Sequence, residues 1–313
     1  MPGNSFGQIF NITTFGESHG NALGVVIDGM PSNMKFNIDD LKKELKRRAP
    51  GQHVTHTSRV EADEPEILSG IFEDKTLGTP ITVIIRNTNQ RSSDYDQLKN
   101  EFRPGHADRT TQLKYGIRDH RGGGRASARE TAARVIAGYF ASLIIKDISF
   151  YGYVSQVGKY TLEKHPQDHA IDRGEINIPD EKLTLEVIDF LKECKSQGLS
   201  AGGTIHLSIK NTPAGLGEPV FDKLKADLAK AMLSIPACTG FSFEGGIEGG
   251  ISNGEEIKLA LNFKAPSTVG EKAKAGRHDP CVLPRAVAIV EAMAKIVIAD
   301  HFLRQKTYES FLP

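Results

Sequence analysis

Gly122-Gly-Gly-Arg-Ala-Ser-Ala-Arg-Glu-Thr-Ala-Ala-Arg-Val-Ile-Ala-Gly-Tyr-Phe-Ala-Ser-Leu-Ile-Ile145 places a glycine-rich, arginine-bearing turn directly before the most apolar run of the chain. Val135, Ile136, Tyr139, Phe140 and Leu143 recur at helical spacing, which predicts a helix over Ser127–Lys146. The apolar part, Val135–Ile145, is interrupted by Gly138 and Ser142 and is shorter than the roughly 20 residues a bilayer span needs. It reads as a core helix. Three further helices carry one apolar face each. Asp39–Arg48 presents Leu41 and Leu45, has Asp39 and Asp40 at its positive end, and stops at Ala49-Pro50-Gly51. Phe221–Leu233 aligns Phe221, Leu224, Leu228 and Met232, and Arg285–Leu303 aligns Ile289, Val290, Met293 and Val297.

Around these helices lie short apolar stretches that read as strands: Leu23–Asp28, Glu66–Phe72, Pro80–Asn87, Thr204–Lys210 and Ile257–Phe263. Ile205, Leu207 and Ile209 alternate with polar residues, the pattern of an antiparallel sheet with one buried face. Helices covered by half-buried sheets make an α+β fold. No low-complexity linker or internal repeat marks a boundary, so residues 1–313 are taken as a single domain.

Composition narrows the function. The chain balances 39 basic against 39 acidic residues, so bulk attraction to nucleic acid or membrane is not its design. Any anion site must come from local clustering. Cys194, Cys238 and Cys281 are widely spaced and odd in number, which suits a reducing cytoplasm better than a disulfide framework. The N-terminal residues lack the basic and apolar regions of a signal peptide.

The chemistry-bearing residues gather in three places. Phe15-Gly-Glu-Ser-His-Gly20 puts His19 in a glycine-flanked turn before a buried strand. Arg103-Pro-Gly-His-Ala-Asp108 sets Arg103 and His106 about a Pro-Gly turn. From Arg103 through Arg134 there are eight Lys/Arg against three Asp/Glu, a local excess suited to phosphate or carboxylate. The expected helix start behind Gly122–Gly124 adds backbone N–H donors, with Arg125 and Arg129 four apart. The third place is Gly276-Arg-His-Asp-Pro280, where Asp279 either caps the following helix or takes part in chemistry. A solvated basic face touching RNA is the competing reading of Arg103–Arg134. RNA readers interleave aromatics, however, and only Tyr115 lies in that span. The glycines match neither a Walker A loop nor a dinucleotide fingerprint. His19, His106 and His278 lack metal-ligand spacing, so no metal is expected. Imidazoles, a carboxylate and several arginines together suit proton transfer on a multiply anionic small molecule.

Phe15–Gly20, Arg103–Asp108, Gly122–Glu130, Pro213–Phe221 (PAGLGEPVF) and Gly276–Cys281 (GRHDPC) resemble, in this order, the motifs of chorismate synthases. The resemblance runs from about Gly3 to the last helix. It implies a layer of helices between two antiparallel sheets, assembled as a homotetramer. It also implies 1,4-anti elimination of phosphate from 5-enolpyruvylshikimate 3-phosphate, requiring reduced FMN without net redox change. By the same resemblance His106 protonates the departing phosphate, His19 sits beside flavin and substrate, and Asp279 relays the proton. Arg48, Arg103, Ser127, Arg129 and Arg277 match substrate-binding positions. Arg125, Ala126, Ser127, Pro236, Ala237, Gly249, Lys264, Ala265, Pro266, Ser267, Thr268 and Arg277 match flavin-binding ones. No reductase domain is evident, so an external reductase, rather than NADPH used by this chain, is the expected source of reduced FMN.

The chain departs from the family in places. Val54 stands where an arginine is common, with His53 or Arg59 as substitutes, and GRAS replaces the usual GRSS. The segments between Phe243 and Gly245 and between Thr268 and Gly276 are shorter than the family's. Both shortened segments border the flavin side, and their loss would leave a non-catalytic flavin- or anion-binding relative as the alternative.

Overall fold

In the computed structural model, which describes residues 3–51, 63–87, 101–267, 279–309 and 311, the chain opens with three strands. These are β1 (Ser5–Phe6), β2 (Asn11–Gly16) and β3 (Ala22–Asp28). Helix α1 (Ile38–Arg48) follows, then β4 (Pro65–Ser69), a small ladder of β5 (Ile71–Phe72) and β6 (Lys75–Thr76), and β7 (Ile81–Arg86). The first sheet runs β1-β2-β3-β7-β4, every pair antiparallel. Helix α2 (Asp108–Tyr115) and two 3-10 turns, Gly124–Ala126 and Ala128–Glu130, lead into α3 (Thr131–Ile144). Next come β8 (Ser149–Val157), β9 (Tyr160–Thr161), α4 (Glu181–Gln197), β10 (Gly203–Lys210) and α5 (Leu224–Leu233). The chain ends with β11 (Cys238–Glu244), the β12–β13 hairpin (Ile247–Glu248, Ile251–Ser252), β14 (Ile257–Phe263) and α6 (Leu283–Glu309). The second sheet runs β11-β14-β10-β8-β9, again antiparallel.

Helix α3 packs on β2, β3 and β7 with one side and on α6 with the other, while α6 packs on β8 and β10. Helices α3 and α6 therefore lie between the two sheets, and the fold is α+β as the alternation predicts. Val135, Ile136 and Phe140 are fully buried on α3, each contributing about 1.5–3 kcal/mol by leaving water. Gly138 sets the spacing of the helix pair: a Cβ there would come within 2.5 Å of the Ala292 Cβ. Among the described residues, no helix is long and apolar enough to cross a membrane.

Several expected boundaries move. Helix α3 begins at Thr131 rather than Ser127, because Ser127 is extended (φ −73°, ψ 142°) and its Oγ accepts from the Arg129 N–H. Arg125 and Arg129 consequently ride on separate 3-10 turns and do not share a helical face. Helix α5 begins at Leu224, since Asp222 takes a left-handed φ of 56° and Phe221 points outward, 86% exposed. The Glu66–Phe72 stretch breaks at Gly70, and α6 runs on to Glu309. Helices α2 and α4 were not expected. Yet α4 has a clear start and stop, with Asp180 accepting from the Leu183 N–H and Gly198 closing it in the left-handed region.

One buried carboxylate ties two helices to the second sheet. Glu291 on α6 accepts from Arg47 Nη2 of α1 at 2.7 Å, Arg173 Nη1 at 2.6 Å and the Gly152 N–H of β8 at 2.8 Å. Burial opposes its ionisation, but Arg47, Arg173 and Lys295 outweigh that and hold its pKa at about 2 against an ordinary 4.5. A depressed folded-state pKa gives stability that is complete above the unfolded value and lost as pH falls. About 3 kcal/mol should therefore disappear between roughly pH 4.5 and 2. Thermal unfolding followed from pH 6 to 2.5 should show this slope, and it should be shallower in Glu291→Gln.

Candidate active site

The hairpin between β2 and β3 carries Glu17-Ser-His-Gly20, and both Ser18 and His19 are buried in it. Ser18 Oγ lies 3.0 Å from His19 Nδ1, and the Ser18 N–H reaches Gly124 O at 3.4 Å. The imidazole rests against Gly122, where a Cβ would stand 2.1 Å from Nδ1. The first glycine of the triple is thus the floor under His19.

His106 sits on an exposed turn just before α2. Its Nδ1 is 2.9 Å from Pro104 O, a carbonyl that only accepts, so Nδ1 carries hydrogen and Nε2 is left for another partner. Asp108 braces this turn, accepting from the Arg103 N–H at 3.0 Å, Nε at 2.8 Å and Nη2 at 2.7 Å. These bonds from Arg103 hold the Asp108 carboxyl at about 2. Arg103 Nη2 also donates to Gly122 O at 3.3 Å, joining the His106 turn to the floor of His19.

Asp279 reaches the same region by another path. It pairs with Arg285 Nη1 on α6, and Arg285 Nε donates to Arg48 O at 2.9 Å. Arg48, at the end of α1, donates from Nη2 to Asp63 at 2.6 Å, and Arg129 Nη1 binds the other oxygen of Asp63. Arg129 Nε continues to Asn87 Oδ1 at 3.1 Å, and Asn87 Nδ2 donates to Glu17 O and Gly20 O of the His19 hairpin at 3.1 and 2.8 Å. A series of hydrogen bonds therefore runs from Asp279 through two expected substrate arginines to the backbone of the hairpin that carries His19.

The expected flavin contacts fall into three groups. Arg125 is fastened to β2 by Thr14 Oγ1 at 2.6 Å, Thr14 O at 3.1 Å and Gly16 O at 3.0 Å, while Ala126 is exposed and Ser127 half-buried. Pairing of Cys238 with Phe263 sets Pro236-Ala237 beside Lys264–Ser267, and the Lys264 N–H donates to Ala237 O at 3.0 Å. Ala237 holds a left-handed φ of 67°, a conformation alanine seldom takes. Ser267 Oγ lies 3.4 Å from Gly105 O, which brings this group to the His106 turn. Gly249 stands apart: it is in the β12–β13 hairpin beyond Glu244↔Lys258, the far end of the β11–β14 ladder. A cavity of about 1120 Å³ opens beside the glycine turn, lined by Arg125, Ala126, Thr14 and Arg118 but not by His19, His106 or Asp279. His53, Val54, Arg59, Thr268, Arg277 and His278 lie outside the described residues.

Sequence reading missed Asp63, Asn87 and Arg285. None stands in a motif, and the only signal was their charge or amide in otherwise ordinary stretches.

The profile of the family described as chorismate synthase matches residues 10–245 and 242–303. A chorismate synthase of Flavobacterium psychrophilum is 48% identical over 354 positions, covering 99% of this chain and all of that protein. One of Christiangramia forsetii is 46% identical, covering 98% and 99%. A crystal structure of a chorismate synthase superposes with a TM-score of 0.77 at 27% identity, covering 98% of each chain. The profile match divides at 242–245, where the family's longer segment is wanting, and an alignment of 354 positions exceeds the 313 residues here.

Proposed function

The chain belongs to the chorismate synthase family, and from that premise we propose how its residues carry out the reaction. The enzyme is a lyase that eliminates phosphate from 5-enolpyruvylshikimate 3-phosphate to give chorismate, with a flavin required and no net redox change. The observation that supports this most is the hydrogen-bonded chain joining Asp279, Arg48, Arg129 and the His19 hairpin, four segments far apart in sequence.

The flavin is reduced FMN, supplied by an external reductase. Ala126, Pro236, Ala237, Ala265 and Pro266 offer apolar edges, Lys264 offers an exposed cation, and Arg125, Ser127 and Ser267 offer polar groups. This donor set fits a planar ring with a phosphate tail, and the left-handed Ala237 is the local distortion a cradle of this kind shows. Thr268, Arg277 and Gly249 join it on the strength of the resemblance. When bound, the flavin supplies the electron density that eases departure of phosphate from a ring lacking an acidic hydrogen.

The chain's own groups do the rest. Arg48, Arg129, Arg103 and Arg277 neutralise the carboxylates and phosphate, with Ser127 beside them. Arg103, which donates to Asp108 from Nε and Nη2, also holds the His106 turn in place. His106 donates from Nε2 to the phosphate oxygen as the carbon–oxygen bond breaks. Asp279, oriented by Arg285, takes up the proton released from ring carbon 6. His19, wedged between Ser18 and Gly122, holds a proton at the flavin edge. Proton transfer by positioned groups of this kind contributes about 10²–10⁴-fold each. The functional unit is one domain over residues 1–313, assembled as a homotetramer in the cytoplasm, where the free thiols of Cys194, Cys238 and Cys281 are at home.

Anaerobic phosphate release tests the reading. Phosphate should appear from 5-enolpyruvylshikimate 3-phosphate only when reduced FMN is present, in step with chorismate. Release without flavin, or none with it, would overturn the proposal.

A further inference from the structure

Asp63 belongs to none of the motifs, yet it grips two residues expected to hold substrate. Its Oδ2 accepts from Arg48 Nη2 at 2.6 Å and its Oδ1 from Arg129 Nη1, with all three side chains buried. Its backbone is left-handed (φ 46°), so the surroundings impose the position. Asp63 therefore stands between two buried guanidiniums and fixes both. Burial opposes ionisation of Asp63, but Arg48 and Arg129 outweigh it and hold the carboxyl below its ordinary pKa. Arg48 Nε is buried and has no hydrogen-bond partner. An unsatisfied buried donor is costly unless something else completes it. An oxyanion supplies the acceptor.

We propose that Asp63 is the positioning residue of the substrate-anion site, fixing Arg48 and Arg129 side by side so that a substrate phosphate or carboxylate completes the donor set of Arg48. This rests on the role given to those arginines under the proposed function. Asp63 touches no substrate atom. It acts in the free and the bound enzyme alike, so its loss should raise KM far more than it lowers kcat. A merely structural ion pair would change the melting temperature and leave that split untouched.

The test uses Asp63→Glu, which keeps the charge and moves it by one methylene, and Asp63→Asn, which removes it. Calorimetric binding of 5-enolpyruvylshikimate 3-phosphate to the flavin-free protein is measured first. KM and kcat for anaerobic phosphate release with reduced FMN follow, alongside thermal unfolding. Folded Asp63→Glu should bind substrate about tenfold more weakly, with KM raised equally and kcat within about threefold. Asp63→Asn should bind more weakly still. Binding within about twofold of the unsubstituted chain in either folded variant would overturn the proposal. Failure of both to fold would assign Asp63 to stability alone and overturn it too. If the unsubstituted chain binds substrate but releases no phosphate, the proposed reaction fails while weakened binding in the variants still supports Asp63. If it binds none, both fall.

Discussion

His106→Ala should lower phosphate release by about 10²–10⁴-fold while leaving the melting temperature nearly unchanged. The two halves of that expectation have separate grounds. The imidazole is exposed, and its Nδ1 bonds Pro104 O, two residues back, at 2.9 Å. Surface truncations away from caps and cores usually stay within about 0.5 kcal/mol. The turn itself is held by the Arg103–Asp108 pair, which the substitution does not touch. Catalysis is the other half. With Nδ1 committed to a carbonyl, Nε2 of the doubly protonated ring is the nitrogen that can donate. Anaerobic stopped-flow phosphate release at saturating substrate and reduced FMN reads kcat, and calorimetry reads the fold. A variant with turnover within about tenfold of normal would remove His106 from the acid role.

What sequence disclosed and what it hid differ in physical kind. Periodicity is local, so the apolar stripe of Val135, Ile136, Tyr139 and Phe140 announced a core helix, and Ile205, Leu207 and Ile209 announced a half-buried strand. Boundaries followed finer local chemistry. Ser127 spends its hydroxyl on the Arg129 N–H, and that bond, invisible in a hydropathy pattern, delays α3 to Thr131. Motifs disclosed His19, His106 and Asp279 because glycine and proline beside a titratable group are conspicuous. Their supports were hidden because each depends on closure of the fold. Arg285 meets Arg48 across 237 residues and Asp63 meets Arg129 across 66, and no window on the sequence joins them. The layer order was likewise a tertiary fact, set by α3 and α6 crossing at Gly138 and Ala292.

Gly122→Ala should cut turnover by about 10²-fold or more by moving one imidazole, and it should do so with the fold intact. The added Cβ would lie 2.1 Å from His19 Nδ1 and 2.6 Å from Cε1, closer than atoms can stand. Something must shift. The nearest atoms belong to the far end of a side chain, whereas Gly122 itself is absent from the left-handed positions of this chain, so alanine fits its backbone. The cheapest response is rotation of the His19 ring away from Ser18, breaking the 3.0 Å contact that fixes it. Gly124→Ala separates this from damage to the turn. Gly124 has a φ of 53° but open space where its Cβ would go, so alanine there strains the backbone by about 1 kcal/mol and leaves His19 alone. The pair should therefore split: Gly122→Ala slow and stable, Gly124→Ala slightly less stable and close to normal in rate. Phosphate release and thermal unfolding on both variants read the result. Equal loss of rate in the two would mean the glycine turn matters as a backbone and not as the floor of His19.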